Sequence, residues 1–419
     1  MIDRPLGGEQ AVLVHIDFHA ENMQEDLFEF QELARSAGAS PAAVITGARH
    51  APEPKYFVGK GKAEEIESSV NAHKADLVIF NHSLSPSQER NLEKLFKCRV
   101  VDRTGLILDI FAQRARSFEG KLQVELALLK HLSTRLVRGW THLERQRGGI
   151  GLRGPGETQL EVDRRLIRNR IKFITQRLIR VKQQRSQSRK ARRKAVIPTV
   201  ALVGYTNAGK STLFNALTGA EAYVANRLFA TLDPTLRRME LPGLGPVIVA
   251  DTVGFIRHLP HDLVEAFHAT LEEVIQADLL LHVVDASDDN RQANIDQVNQ
   301  VLKSIEADSV PQVLIYNKID LCEGILPGLE RDAKNAIQRV FISAVTQAGF
   351  SDLKEAVTEL LEKDIVQRAL VLKPADSKLR AQLYQLNAIQ SEHTDEEGNF
   401  HLQIKMARLD WDKLKCRVD

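Results

Sequence analysis

The sequence predicts a multidomain α/β protein with four consecutive units. The chain has 419 residues, which is more than one ordinary domain holds. Two separate stretches alternate short β-branched runs with helical patterns, and two long segments between them repeat apolar residues every three or four positions. We expect a small N-terminal α/β domain at 1–115, an antiparallel helical hairpin at 116–197, a larger α/β domain at 198–365 and a small C-terminal α+β domain at 366–419.

Composition places the chain among globular proteins. Hydrophobic residues make up 43% and charged residues 27% of the sequence, which excludes bulk disorder and collagen-like repeats. The sequence has no run of about 18 apolar residues, and it does not begin with an export signal. Cys98, Cys322 and Cys416 are too widely spaced for a disulfide framework or a zinc knuckle. We therefore expect a cytoplasmic monomer with no membrane partner.

In the first 115 residues, apolar runs indicate buried strands and amphipathic patterns indicate helices. The strands are predicted at 11–16, 42–47 and 76–80, and the helices at 25–38 and 85–96. Because strands and helices alternate, this domain should contain a mostly parallel sheet.

Two apolar stripes at helical spacing predict the hairpin. The first stripe consists of Leu122, Leu126, Leu129, Leu132, Leu136, Trp140 and Leu143. The second consists of Ile167, Ile171, Ile174, Leu178 and Val181. Basic residues continue beyond the second stripe as far as Lys194, where we expect a charged linker because nothing there can be buried.

The loop between these helices is rich in glycine. Five glycines lie within nine residues: Gly148, Gly149, Gly151, Gly154 and Gly156. The loop is either a flexible connector or a tip whose backbone approaches a ligand closely, since glycine has no Cβ. In the second case, Arg147 and Arg153 are its candidate charged contacts.

Positive charge is concentrated in one segment. Of the 57 Lys and Arg residues, 14 lie between Arg164 and Lys194, where there is no Asp or Glu. All 55 acidic residues lie elsewhere, so the rest of the chain is negative, and such segregation favours a polyanionic partner. A merely solvated helix face is the alternative, but it would mix both signs. The candidate nucleic-acid contacts are Arg147, Arg153, Arg164, Arg165, Arg168 and Arg170.

A phosphate-binding pattern opens the third unit. Residues 204–212 match GxxxxGK[ST] between an apolar strand and the helical run LFNAL, which is the context of a P-loop. Backbone N–H groups of such a loop hold phosphates, Lys210 would reach the β- and γ-phosphates, and Ser211 would bind Mg²⁺. The candidate residues are Gly204, Tyr205, Thr206, Asn207, Ala208, Gly209, Lys210, Ser211 and Thr212.

A DxxG pattern follows the apolar run PVIVA, with Asp251, Thr252, Val253 and Gly254. It would place a carboxylate near the metal ion and a glycine N–H against the γ-phosphate. Between the P-loop and DxxG, the segment RLFATLDPTLRR should carry the threonine that senses the γ-phosphate through Mg²⁺.

Spacing does not decide between Thr231 and Thr235 for that role. Phe229 and Ala230, which precede Thr231, are further candidates for contact with the nucleotide.

Two more strand ends carry residues suited to guanine. They supply Asn317, Lys318 and Asp320 after VLIY, and Ser343, Ala344 and Val345 at the end of VFIS. The Asp320 carboxylate can accept from N1–H and the 2-amino group of guanine, whereas adenine would leave it unpaired. Backbone N–H groups of the second segment would meet guanine O6, the Lys318 stem would cover the base, and Asn317 and Ser343 would brace the loops. The four patterns in this order predict a site for GTP.

These motifs resemble those of the Ras-like P-loop GTPase superfamily over residues 198–365. The phrase FATLDPT resembles the switch of the Obg–HflX branch, which favours Thr231. Outside the nucleotide motifs, GGIGLRGPGETQLEVDRR and DRTGLILDIFAQRA resemble signatures of the HflX family of ribosome-associated GTPases. The resemblance therefore extends over nearly the whole chain.

The resemblance implies hydrolysis of GTP to GDP and phosphate with Mg²⁺. It also implies binding to the 50S large ribosomal subunit, with ribosomal RNA (rRNA) contacted through the hairpin, and splitting or rescue of stalled ribosomes under stress. On this interpretation Lys210, Thr231 and Gly254 serve catalysis, and Ser211, Thr231 and Asp251 hold the metal ion.

Two positions bear on how hydrolysis would be controlled. Phe255 stands where Ras-like enzymes commonly carry a glutamine that orients the attacking water, and a phenyl ring has no hydrogen-bonding group. Asn207 resembles a P-loop asparagine that helps to hold K⁺ in some GTPases, so K⁺ is a second candidate cofactor. We expect slow hydrolysis by the free protein, with the large subunit completing the site.

Two other functions are compatible with a GTP site. A tRNA-modification GTPase of the MnmE kind would need a catalytic C-terminal cysteine motif, which the ending Cys-Arg-Val-Asp lacks. A non-ribosomal, GTP-dependent protein-binding switch would not explain the uncompensated positive charge. Residues 1–115 contain no second complete nucleotide motif that would support a separate ATP site.

Overall fold

The computed structural model describes most of the chain and confirms the multidomain α/β class. The described residues are 9–18, 23–139, 159–194, 197–219, 228–229, 231–256, 268–362, 365–386, 388–395, 398–407, 411 and 414. The chain divides into two compact units. Unit 1 comprises Met1–Arg180, Asn226–Leu232 and Arg257–Phe267, and unit 2 comprises Val181–Ala225, Asp233–Ile256 and His268–Asp419.

Unit 1 contains a parallel four-stranded sheet among its described residues. Its strands are β1 (Gln10–Asp17), β2 (Ser40–Ala48), β3 (Leu77–Phe80) and β4 (Arg99–Val101), in the spatial order β2-β1-β3-β4. The strands predicted at 11–16 and 42–47 lie within β1 and β2, and the strand predicted at 76–80 begins one residue before β3. Strand β4 was not predicted, because a strand of three residues is too short to show a periodic pattern.

Helices connect these strands, as expected for a parallel sheet. They are α1 (Met23–Ser36), α2 (Lys60–His73), α3 (Pro86–Phe96) and α4 (Arg103–Arg114). Helix α3 begins where the sequence supplies a capping box: the Ser85 hydroxyl accepts from the Gln88 N–H, and the Gln88 side chain accepts from the Ser85 N–H.

The helical hairpin consists of α5 (Phe118–Gly139) and α6 (Gln159–Lys194). Leu122, Leu126 and Ile174 pack together between the two helices, so the predicted stripes do face each other. Helix α6 continues to Lys194, and the expectation of a charged linker was therefore wrong. Lys, Arg and Gln are good helix formers, and no Gly or Pro interrupts the chain before Pro198. The glycine-rich loop with Arg147 and Arg153 lies outside the described residues.

Unit 2 contains a seven-stranded mixed sheet among its described residues. Its strands are β5 (Thr199–Gly204), β6 (Thr235–Leu241), β7 (Gly245–Asp251), β8 (Leu279–Asp285), β9 (Gln312–Asn317), β10 (Gly328–Arg331) and β11 (Ile337–Phe341). The spatial order is β10-β11-β9-β8-β5-β7-β6, and only β6 and β10, at the two edges, are antiparallel to their neighbours. The helices are α7 (Lys210–Thr218), α8 (His268–Ile275), α9 (Arg291–Ser304) and α10 (Phe350–Glu362).

The C-terminal part of unit 2 is a small α+β structure. It comprises β12 (Ile365–Leu372), α11 (Ser377–Gln385), β13 (Ile389–Thr394) and β14 (Phe400–Ala407). The antiparallel sheet has the order β12-β14-β13, and Leu383 of α11 packs with Leu402 and Ile404 of β14. Across the described residues of both units, none of the helices combines the length and the apolar character that a membrane span requires.

A charged side chain is buried at one end of the sheet in unit 1. The Arg103 guanidinium donates to the Glu29 carboxylate at 2.6 Å and to the Asn81 side-chain carbonyl. The Arg103 and Glu29 side chains are only 5% and 9% exposed. Removal of one partner would therefore leave a buried charge without its counter-ion.

We expect Arg103→Met to lower the free energy of unfolding of this sheet by about 3–5 kcal/mol, since Glu29 would lose its counter-ion. The control is Arg99→Met, because Arg99 is half exposed where it pairs with Asp109 and should matter little. The urea dependence of amide hydrogen exchange in β1 and β3 would measure both effects. Equal losses of unfolding free energy in the two variants would contradict the importance of the buried Arg103–Glu29 pair.

Candidate functional site

The predicted site residues of unit 2 lie in loops at one edge of its sheet. Strands β5, β7, β9 and β11 run parallel, so their carboxyl ends meet at that edge. The P-loop follows β5, DxxG follows β7, Asn317–Asp320 follows β9, and Ser343–Val345 follows β11. Open α/β sheets bind ligands outside the carboxyl ends of their strands.

The P-loop depends on two glycines that no other residue could replace. Gly204 has φ +146°, and a Cβ there would lie 2.2 Å from the Val283 carbonyl oxygen. Gly209 has φ +90°, and a Cβ there would lie 2.2 Å from the Asn317 Nδ2. Helix α7 begins directly after this second glycine, so its unpaired N-terminal N–H groups adjoin the loop. The loop can therefore hold an anionic group with its backbone.

Lys210 lies beneath the P-loop. Its ammonium group donates to the carbonyls of Gly204 at 3.1 Å and Tyr205 at 2.6 Å, and the residue is 6% exposed. Burial lowers the pKa of Lys210 to about 8, although nearby Asp251 favours the charged form. A phosphate bound in the loop would favour the charged ammonium further.

The side-chain oxygens of Ser211 and Asp251 lie next to each other. The Ser211 hydroxyl donates to Asp251 Oδ2 at 2.8 Å, and Asp251 is 1% exposed at the end of β7. A hydroxyl beside a carboxylate is the type of donor set that Mg²⁺ prefers. Thr252, the next residue, is fully buried and donates its hydroxyl to the Leu202 carbonyl, so its side chain braces β5.

Backbone hydrogen bonds hold the DxxG segment against the P-loop. The Thr206 N–H donates to the Phe255 carbonyl at 2.8 Å, and the Phe255 N–H donates to the Gly204 carbonyl at 3.2 Å. A Cβ on Gly254 would lie 2.8 Å from the Thr206 Cγ2 and 3.0 Å from the Lys210 Nζ, so only glycine allows this approach. The Phe255 side chain is 1% exposed and belongs to the core.

The Asn317 side chain connects two other loops. Its Nδ2 donates to the Ala208 carbonyl in the P-loop, and its Oδ1 accepts from the Ala344 N–H, both at 2.9 Å. Asn317 is 2% exposed. One buried amide therefore fixes the P-loop and the loop after β11 relative to β9.

The remaining residues of the predicted base-binding loops differ in exposure. Asp320 lies exposed in a short 3-10 helix, Ile319–Leu321. Ser343 is buried and its hydroxyl accepts from the Thr346 N–H, whereas Val345 is 74% exposed. The exposed Asp320 carboxylate and the exposed Val345 are therefore accessible to a planar base.

The partner of Lys318 was not predicted from the sequence. The Lys318 ammonium lies 2.6 Å from Asp285 Oδ2, and Lys318 has φ +67°. Asp285 is the last residue of β8 and follows a buried run of residues. A carboxylate at the end of a predicted strand was the signal in the sequence that could have identified Asp285 as a site residue. The contact itself depends on the register in which Asp285 pairs with Asn317 across β8 and β9.

The predicted switch residues Phe229 and Thr231 belong to unit 1, and Ala230 lies outside the described residues. The Phe229 ring is 2% exposed and packs edge-to-face on Phe111, with ring centroids 4.7 Å apart. The Phe229 ring is therefore buried against Phe111 within unit 1 and is not exposed for contact with a nucleotide. Thr231 is half-buried.

The described RNA-contact candidates lie on α6. Arg165, Arg168 and Arg170 are exposed, whereas Arg164 is half-buried. Arg170 pairs with Glu125 of α5 at 2.6 Å, so part of its charge is offset.

Comparisons with known proteins cover the whole chain. Three family models match: "GTP-binding GTPase N-terminal" at residues 24–112, "GTP-binding GTPase Middle Region" at 114–192 and "50S ribosome-binding GTPase" at 199–318. GTPase HflX of Escherichia coli strain K12 is 60% identical over 419 residues, covering 100% of this chain and 98% of that protein.

Two other relatives named GTPase HflX match over most of their length. That of Caldanaerobacter subterraneus subsp. tengcongensis is 48% identical over 390 residues, covering 93% of this chain and 89% of that protein. That of Magnetococcus marinus is 46% identical over 364 residues, covering 86% and 83%.

We expect Asp320→Asn to weaken binding of guanine nucleotides and to improve binding of xanthine nucleotides. The amide presents a donor where guanine also presents one, whereas xanthine presents a carbonyl there. Titration calorimetry with GDP and xanthosine diphosphate would measure the change. Asp308→Asn, a substitution at another exposed carboxylate, is the control. Unchanged GDP affinity in Asp320→Asn would remove Asp320 from the site.

Proposed function

Since this chain belongs to the HflX family of P-loop GTPases, we propose that its GTPase activity acts on the ribosome. The protein hydrolyses GTP to GDP and phosphate. In the proposed function it binds the 50S large subunit and splits or rescues stalled ribosomes under stress. The family model that matches residues 199–318 carries the description "50S ribosome-binding GTPase", which supports this partner.

The observation that carries the proposal is the charge of α6. From Arg164 to Lys194 this helix has 14 basic and no acidic residues, while the acidic residues all lie elsewhere in the chain. Such a helix attracts a polyanion with a dense phosphate backbone, and rRNA is the polyanion of the large subunit. Arg147, Arg153, Arg164, Arg165, Arg168 and Arg170 are the proposed contacts.

In the proposed nucleotide complex, the P-loop N–H groups and Lys210 hold the phosphates. Asp320 binds guanine N1–H and the 2-amino group, while Lys318 covers the base and the Val345 N–H faces O6. The sequence also offered the Ala344 N–H for O6, but this group donates to Asn317 Oδ1 and braces the loop instead. The P-loop geometry described above supports the first assignment, and the exposed carboxylate of Asp320 supports the second.

Mg²⁺ is the proposed cofactor, with Ser211 and Asp251 as its ligands; Thr231 stays a prediction from the sequence for this role. Bound there, it would neutralise charge on the β- and γ-phosphates. The hydroxyl and carboxylate oxygens of Ser211 and Asp251, 2.8 Å apart, fit this role. We also propose K⁺ beside Asn207, which is exposed in the P-loop.

The core position of Phe255 leads to the proposed control of hydrolysis. Because this side chain is buried and cannot hydrogen-bond, it cannot orient the attacking water. The free protein should therefore hydrolyse GTP slowly, and the large subunit should complete the site.

We expect 50S subunits to accelerate single-turnover GTP hydrolysis by about 10³–10⁵-fold, the range typical of catalytic groups supplied in trans. Quench-flow measurements with 50S subunits, 30S subunits or tRNA, each in Na⁺ and in K⁺, would separate the ribosomal function from a tRNA-directed one. Lys210→Ala should abolish both the slow and the fast reaction. Equal rates with and without 50S subunits would contradict the proposal.

We expect binding to 50S subunits to weaken steeply as salt rises, because cationic contacts release counter-ions from the RNA. Neutralising Arg164, Arg165, Arg168 and Arg170 to Gln should lower the slope of log K against log salt by about one for each phosphate that is no longer neutralised. Arg237→Gln with Arg238→Gln is the control, because both residues are exposed on β6, and it should leave the slope unchanged. Sedimentation at several salt concentrations would measure it, and a salt-independent complex would indicate a protein partner instead.

A further inference from the structure

Aromatic rings and guanidinium groups alternate along one side of the hairpin. The Arg177 Cζ lies 4.8 Å from the ring centroid of Phe173 and 5.6 Å from that of Phe118. The Arg170 Cζ lies 5.5 Å from the Phe173 centroid. We call these four residues, Phe118, Arg170, Phe173 and Arg177, the Arg–Phe row.

Helix geometry explains how the row forms. Arg170, Phe173 and Arg177 are three and four positions apart in α6, so they share one face of the helix. Phe118 is the first residue of α5, and the antiparallel arrangement brings it to Arg177. The buried contacts of α6 with α5 use Ile174, so the row lies beside the hairpin core.

The two rings are far more exposed than core residues. Phe173 is 44% and Phe118 is 59% exposed, although the hairpin has a buried stripe that could hold apolar side chains. Leu166, one turn before Arg170 on the same face, is 59% exposed. Single exposed apolar residues are normal, but a continuous row with cations between the rings indicates a binding surface.

We propose that the Arg–Phe row is a stacking surface for unpaired RNA bases. Single-stranded RNA is recognised by stacking its bases on aromatic rings and on the planes of Arg guanidinium groups. The row offers both kinds of plane on one exposed face. The inference rests on the proposed binding of RNA by the hairpin, and it adds a non-ionic contact to the phosphate contacts proposed above.

The neighbouring charges favour RNA over a protein as the occupant. Arg170, Phe173 and Arg177 lie within the segment that has 14 basic and no acidic residues, so the phosphates that follow each stacked base would meet cations on either side. Glu125 pairs with Arg170 at 2.6 Å, and this contact holds the Arg170 guanidinium in place while offsetting its charge. The Arg170 guanidinium is thereby held as a plane for stacking, in addition to its proposed contact with a phosphate.

Unpaired bases fit better than a duplex. The base faces of an RNA duplex are covered by neighbouring base pairs, and only bases in loops, bulges and ends can be splayed onto a protein ring. Binding to the row should consequently discriminate between single-stranded and double-stranded RNA, whereas contacts to phosphates alone would not.

The test uses the full-length protein with both rings replaced, Phe118→Leu and Phe173→Leu. Leucine keeps apolar bulk and helix propensity but lacks an aromatic face. Fluorescence anisotropy would measure binding of a single-stranded RNA of about ten nucleotides and of the corresponding duplex at several salt concentrations. The matched control replaces both rings with Tyr, which keeps the stacking faces. Unchanged GTP hydrolysis by the free protein serves as the control for folding.

The Leu variant should bind single-stranded RNA at least about thirtyfold more weakly, which is the loss expected when each of two stacked bases loses about 1 kcal/mol. Its plot of log K against log salt should run parallel to that of the unmodified protein, because stacking releases no counter-ions. Duplex binding should not change, and the Tyr variant should retain the affinity of the unmodified protein.

Three results would overturn the inference, and each has a different meaning. If the unmodified protein binds neither RNA at low salt, the proposed RNA binding fails as well. If it binds RNA but the Leu variant binds single-stranded RNA equally well, only the stacking surface fails. If the Leu variant loses affinity for 50S subunits but not for single-stranded RNA, the row contacts a ribosomal protein.

Discussion

The buried side chain of Asn317 is the contact on which the geometry of the nucleotide loops depends. It ties the P-loop to the loop after β11 through two hydrogen bonds of 2.9 Å. Its position also explains Gly209, because a Cβ there would overlap the Asn317 amide. The glycine and the asparagine therefore constrain each other across more than a hundred residues of sequence. No other amino acid combines a donor and an acceptor at the end of a side chain of this length.

The parts of the fold and site that could be predicted are those with a local pattern. A strand followed by a glycine-rich turn indicates a P-loop before any contact is known, and strand ends order the remaining motifs at one edge of a parallel sheet. The pairing of Asp285 with Lys318 could not be predicted, because it depends on the register between β8 and β9. Strand β4 has too few residues to show a pattern, and the extent of α6 was underestimated because burial, rather than intrinsic helix propensity, was used to place its end.

Two kinds of contact are combined on the hairpin in the proposed function. Coulombic attraction to phosphates acts over about a Debye length and weakens with salt, so it favours rapid encounter with any RNA. Stacking on Phe118 and Phe173 requires direct contact and depends little on salt, so it selects RNA with accessible bases. A surface with both properties would associate quickly and still distinguish one RNA site from another.

The ion pair between Lys318 and Asp285 also has a thermodynamic consequence. A free lysine side chain carries about 2 kcal/mol of rotamer entropy, which is lost when the chain is ordered. In this protein the ammonium is already held at 2.6 Å from the carboxylate, so most of that loss occurs during folding. If the stem covers the base as proposed, the nucleotide meets a preorganised surface, and less of its binding free energy is spent on ordering the protein.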